Sequence, residues 1–232
     1  MRCAFSSITD FFEVLNSGNA NYLVLRNYEN LLKPEMYVDG HGDVDLLCED
    51  AQSIVRLSGA KSWWVDKKSM SDDGIHYFIL VKGQRVSLDL RQLGDGYYCK
   101  EWEQDLLDRK ERYECFFVMN KKDYFYSLIY HAILQKRSLS AEYLNRLTVM
   151  SKELEIQVGE YSQQGFISLL EDYMKGNGYR CTYSSDHMVP NRFHLVDKSL
   201  IKRDRKLWWK HFKFDLNVAI IEWLVKIKHS IK

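Results

Sequence analysis

No C-x-x-C pair occurs in this chain, and its five cysteines, at positions 3, 48, 99, 115 and 181, form an odd set. Neither a disulfide framework nor a zinc knuckle is indicated, and a reducing compartment is expected. Long apolar runs are missing too. The most apolar stretch, Phe212 to Ile227, is broken by Lys213, Asp215, Glu222 and Lys226, far short of the roughly 20 apolar residues that a membrane span requires. Near the start, Asp10 and Glu13 interrupt the first apolar stretch, so the hydrophobic segment of a secretory signal is not expected. Internal repeats and low-complexity tracts are absent, and the only two prolines, Pro34 and Pro190, stand in stretches that read as loop. Taken together, these absences point to a cytoplasmic location.

A large net charge is also missing, the total being +1, but the charges are unevenly spread. Residues 198–232 carry ten Lys/Arg against three Asp/Glu, which leaves the preceding body at about −6. An acidic body disfavours a broad phosphate-tracking surface outside the tail, so no nucleic-acid partner is expected. What is present is ordinary globular material. With 46% apolar and 28% charged residues the chain lies far from the signature of disorder. Its 232 residues can bury one large core, or a medium core with a smaller helical companion, without disulfides or a structural metal.

Ser7, Thr9 and Asp10 supply N-cap chemistry for a helix running to about Ser17, where Gly18 ends it. Tyr22–Arg26 and Asp43–Cys48 read as strands, separated by a polar segment containing Pro34, Gly40 and Gly42. A short helix is expected over 50–59, then strands over Ser62–Val65, His76–Lys82 and Arg85–Leu90. The last two are joined by Gly83-Gln84, which suits a type II′ turn. Trp102–Lys110 reads as helix, Tyr113–Val118 as a final strand, and Asn120-Lys-Lys-Asp123 as a capping box ahead of a long helix. In that helix Phe125, Leu128, Ile129, Ala132 and Ile133 recur at helical spacing. Further helices are expected over 140–156, 160–175 and 207–230, with Gly176-Asn-Gly178 as a stop and 179–205 irregular. The fold class is therefore α+β: a mixed β-sheet core flanked by helices over residues 1–118, followed by a helical part over 119–232.

The segment His41-Gly-Asp-Val-Asp-Leu-Leu47 carries the most chemistry, because residues two apart on a strand point to the same face. Asp43 and Asp45 then stand side by side, while Val44, Leu46 and Cys48 pack inward. Two adjacent carboxylates repel unless a cation sits between them, and a hard, oxygen-seeking ion such as Mg²⁺ or Mn²⁺ is the natural occupant. A third acid is offered by Arg85-Val-Ser-Leu-Asp-Leu-Arg91, where Val86, Leu88 and Leu90 face the core and Ser87, Asp89 and Arg91 face away. Three carboxylates on neighbouring strands suit metal-assisted phosphoryl or nucleotidyl transfer. A lone D-x-D pair on a strand is commonly just a solvated face; its combination with a preceding strand, a following helix and a later strand acid gives it weight.

With helix, strand, loop, D-x-D strand and a later acid in this order, residues 8–92 resemble the nucleotidyltransferase superfamily. His41-Gly-Asp-Val-Asp-Leu46 looks especially like the H-x-D-[IV]-D-L run of small antibiotic-modifying members. The resemblance implies a nucleotidyltransferase-like core, catalytic metal on Asp43, Asp45 and Asp89, a nucleoside triphosphate or nucleotide-diphosphate donor, and a small-molecule or glycan acceptor. Where family members usually carry Gly-Gly or Gly-Ser, this chain has Leu25-Arg26-Asn27-Tyr28, a run that looks more like a divergent bacterial branch associated with surface-polysaccharide loci. A guanidinium can hold phosphate in place of backbone amides, which makes Arg26, with Asn27, a candidate substrate-binding site; a strand-end surface residue is the plainer alternative. Transfer of a polyol- or sugar-phosphate, and a degenerate fold serving as a binding partner, are the rival functions.

His41 and Arg91 are further substrate-binding candidates, His41 reading equally as a plain loop residue. On the long helix Asp123, Ser127, Tyr130 and His131 form a polar stripe, with His131 able to line an acceptor pocket or to join a hydrogen-bonded packing face. The basic tail, with Trp208, Trp209, Phe212 and Phe214, reads either as a helix closing the core or as a peripheral contact with the inner face of a membrane.

Overall fold

The computed structural model describes residues 4–33, 43–64 and 73–230, with side chains except those of 222 and 226–230. Contacts divide it into two units, Met1–Asp95 with Lys100–Tyr124, and Gly96–Cys99 with Phe125–Lys232.

In the first unit, β1 (Ala4–Phe5) leads into α1 (Ile8–Ser17). The Ser7 hydroxyl accepts the Asp10 amide at 3.1 Å, satisfying an end-of-helix donor as an N-cap should. Ile8, Phe11, Phe12 and Leu15 fall on one helical face, and all four are buried. Then follow β2 (Tyr22–Val24), β3 (Asp43–Cys48) and α2 (Ala51–Ser58), the last capped by Asp50 and closed by Gly59 at φ +65°. Three more strands, β4 (Lys61–Ser62), β5 (His76–Val81) and β6 (Gln84–Gln92), precede α3 (Lys100–Asp108). The hairpin of β7 (Glu111–Tyr113) and β8 (Phe116–Val118) completes the unit.

These strands form one mixed sheet in the order β1-β5-β6-β3-β2-β8-β7, with β4 on β5, so the α+β class holds. Strand alternation sorts its two faces. Val44, Leu46 and Cys48 of β3, with Val86, Leu88 and Leu90 of β6 and Tyr77, Ile79 and Val81 of β5, join Phe11, Phe12, Leu15 and Ile54 in one core. The alternate residues of β3 and β6, among them the three acids, turn to the other face.

Three local expectations are corrected. The β5–β6 turn has Lys82 and Gly83 as its central residues, at φ +51° and +80°. Two positive φ values make it type I′ rather than the II′ turn expected on Gly83-Gln84. The single strand expected over Tyr113–Val118 is instead the β7–β8 hairpin, because Glu114 adopts φ +51° and reverses the chain there. The strand expected over Ser62–Val65 is reduced to β4, Val65 lying outside the described residues.

The remaining helices are α4 (Lys121–Leu134), within which the division between units falls, α5 (Ala141–Glu153), α6 (Gln163–Asn177) and α7 (Arg205–Ser230). Asn120 caps α4 through the Asp123 amide at 2.9 Å, while Ser140 and Ser162 cap α5 and α6. In the second unit Phe166, Ile167, Leu170 and Met174 of α6 are buried, and Tyr126 stacks on Tyr173 at 3.7 Å. No described helix is long and apolar enough to cross a membrane.

Gly96 is required where it stands. Its φ is +81°, and a Cβ there would lie 2.4 Å from the Tyr183 carbonyl oxygen, so both the backbone conformation and the space exclude a side chain. Gly96→Ala is expected to destabilise the protein by about 2 kcal/mol or more, read as a lowered urea midpoint. An unchanged midpoint would mean that this close approach relaxes without cost.

Candidate functional site

Strands β3 and β6 run parallel and in register, with Asp43 opposite Ser87 and Asp45 opposite Asp89. On the other side of β6, antiparallel β5 places His76 opposite Asp89. Because paired residues share a face, Asp45, Asp89 and His76 form a row across three strands, with about 4.8 Å between neighbouring strands.

Asp89 sits in the middle of that row. Burial, and then the charge of Asp45, push its carboxyl up to about 6; Asp43 adds to the rise, while His76 and Arg91 oppose it. Its Oδ1 is buried and has no hydrogen-bond partner among the described residues, a costly state for a carboxylate oxygen. Asp45 is answered by Arg26, whose Nη2 lies 2.7 Å from Asp45 Oδ2. The guanidinium reaches this face because the last bond of this segment to β3 is from the Leu25 amide to the Asp45 carbonyl, and Asn27, in the left-handed region at φ +56°, turns the chain. Asn27 itself is exposed.

Asp43 is exposed at the start of β3. Arg91 is buried, two residues beyond Asp89 on the same face. His41 lies outside the described residues. His131 is buried in the second unit, its Nδ1 3.1 Å from the Tyr97 hydroxyl and 3.3 Å from Gln135 Oε1, while Gln135 Nε2 donates to the Tyr97 carbonyl at 2.7 Å. Ser127 and Tyr130 are buried with it, and Asp123 accepts two bonds from Arg109, at 2.9 and 3.0 Å. The polar stripe of α4 is thus engaged in hydrogen bonding and packing.

Sequence reasoning overlooked His76 and Asp73. The ring Nδ1 of His76 lies 2.7 Å from Asp73 Oδ2, which also accepts the Trp64 indole N–H at 2.8 Å. Burial works to raise the Asp73 carboxyl, but the bonds from the His76 and Ile75 amides, Trp64 and the His76 ring outweigh it and hold it down to about 2. The Asp73 carboxylate orients the imidazole through its Nδ1. The Asp73-x-x-His76 spacing just ahead of a strand was the available signal.

A divalent cation fits two of these groups well: Asp45 and Asp89 are adjacent carboxylates, and one offers a buried oxygen without a partner. Among the described residues, however, no three His, Cys, Asp or Glu side chains are grouped so as to hold a metal ion. Comparison with protein families, curated proteins and solved structures gave no match to this chain.

Proposed function

We propose that this chain is a cytoplasmic, Mg²⁺- or Mn²⁺-dependent nucleotidyltransferase that moves a nucleotidyl group onto a hydroxyl of a small molecule or glycan. The observation that carries the reading is the in-register Asp45–Asp89 pair with its buried, unpartnered oxygen, set on the D-x-D strand and its neighbour. The cation would be held by Asp45 and Asp89, with Asp43 beside them, and would supply charge neutralisation to the donor phosphates.

The chain's own groups divide the remaining work. Asp89, in register beside Asp45, would be the group that takes the acceptor hydroxyl proton. The acceptor oxygen bonds to the α-phosphorus as the bond to pyrophosphate breaks. Arg26, freed from Asp45, is positioned to hold donor phosphate oxygens in a bidentate grip. Its position at the end of β2 is where family members place their phosphate-binding glycines.

Labelled nucleoside triphosphates and cytidine-diphosphate-linked polyols, each offered with Mn²⁺ and a panel of hydroxyl acceptors, test the reading. Nucleotidyl transfer is expected from a triphosphate, and Asp45→Asn is expected to lower it on the order of a thousandfold. Transfer only from the diphosphate donor would make the chain a polyol-phosphate transferase. A chain that binds donor but turns over none of them would be a binding protein on this fold.

A further inference from the structure

The last helix combines an anchored side with an unusually apolar free side. His211 is buried: its Nε2–H donates to the Ser184 carbonyl at 2.8 Å, and Asn191 Nδ2 donates to its Nδ1 at 2.8 Å. Leu207, Phe214 and Val218, at helical spacing around His211, are half-buried with it. Opposite them, Trp209, Phe212, Leu216, Ile220 and Trp223 recur every three or four residues and fall within an arc of about 80°. All five are exposed, from 43% at Phe212 to 61% at Trp223. Trp208 extends the stripe, stacking on Phe212 at 5.4 Å, and Trp209, 5.8 Å from Trp208, lies 5.4 Å from the same Phe212 ring.

An apolar strip of this length on a free helix face marks a surface that something covers. Its flank is basic: Lys206 and Lys213 are exposed along one edge, the Lys213 ammonium 5.5 Å from the Trp209 ring. Residues 198–232 as a whole carry the chain's positive surplus. A second copy packed on this strip would bring two such surpluses together, whereas an anionic surface would neutralise one. Indole rings beside lysines are the composition that a helix lying in a lipid headgroup layer favours, and the helix does not qualify as a membrane span.

We propose that α7 docks the protein flat on an anionic lipid surface, with Trp209, Phe212, Leu216, Ile220 and Trp223 inserted among the headgroups and Lys206 and Lys213 beside the lipid charges. Vesicle binding and nucleotidyl transfer are measured separately, so either can fail alone.

Flotation of the full chain with phosphatidylglycerol–phosphatidylcholine vesicles, against phosphatidylcholine alone, tests the docking. Binding tenfold or more tighter to the anionic vesicles is expected, and high salt should weaken it. Trp209→Glu with Trp223→Glu should reduce partitioning at least tenfold, and Lys206→Glu with Lys213→Glu about fivefold per charge. All four side chains are solvent-facing, so thermal melts should remain unchanged. Equal binding to both vesicle types, or tryptophan variants that bind like the parent, would overturn the proposal. So would a concentration-dependent dimer in sedimentation that the same tryptophan changes dissolve, since the occupant would then be a second copy.

Discussion

Asp89→Asn is expected to stabilise the protein at neutral pH while abolishing transfer. A carboxyl held near 6 in the folded chain, against 3.8 when unfolded, favours the protonated state on folding. Below about pH 4 the group is protonated in both states, and the variant and the parent should melt alike. Between pH 4 and 6 the unfolded chain releases the proton while the folded chain keeps it, so the parent loses stability as pH rises. Above 6 the folded chain carries the full cost of a buried, ionised Asp89 with the Asp45 charge beside it, roughly 3 kcal/mol. The amide removes that cost. The gap between the two proteins should therefore open from pH 4 to 6 and stay constant above. Urea melts across this range check it, and a gap equal at pH 4 and pH 8 would mean that the Asp89 carboxyl is not perturbed in the fold. Added Mn²⁺ should narrow the gap at pH 7, because a cation stabilises the ionised parent and has less to hold in the variant. Loss of activity with gain of stability is the pattern expected where a strained charge serves chemistry rather than folding.

Several of these features were legible from local patterns. The alternation of Val44, Leu46 and Cys48 against Asp43 and Asp45, and of Val86, Leu88 and Leu90 against Asp89, gave the facing of β3 and β6, because period-two burial is written residue by residue. Caps at Ser7 and Asn120 were equally local. Parallel pairing of β3 with β6 was not, since it joins segments about forty residues apart and depends on where β5 inserts its hairpin. The β5–β6 turn was expected, but its type and the reversal at Glu114 were not legible, because neither Lys82 nor Glu114 is a residue type that signals a positive φ. The dyad of Asp73 and His76 went unseen because its significance lies in the register that sets His76 against Asp89. For α7 the periodic signal was blurred: apolar residues occupy both its anchored side and its free side, so no single stripe stands out.

Arg26→Ala is expected to produce a protein whose stability depends on divalent cation. Arg26 and Asp45 face each other at 2.7 Å with side chains only 11% and 15% exposed. Removing the guanidinium leaves Asp45 largely buried, paired in register with a second carboxylate, and the loss should be about 3 kcal/mol in the presence of a chelator. A cation that fits the Asp45–Asp89 pair has to compete with Arg26 for Asp45 in the parent and no longer does in the variant. Mn²⁺ should then raise the melting temperature of Arg26→Ala more than that of the parent, recovering most of what the substitution cost. Arg26→Lys separates charge from geometry: it keeps a cation beside Asp45, so stability should fall little, yet it loses the planar fork and should weaken donor binding about tenfold. Thermal melts with and without Mn²⁺, joined to nucleotide titrations, distinguish the cases. If Arg26→Ala is destabilised and no divalent ion restores it, Asp45 serves a structural ion pair, and the metal-dependent reading of this sheet face fails with it. If the ion restores the variant and the lysine protein binds donor like the parent, the metal site stands and the phosphate grip belongs to another residue.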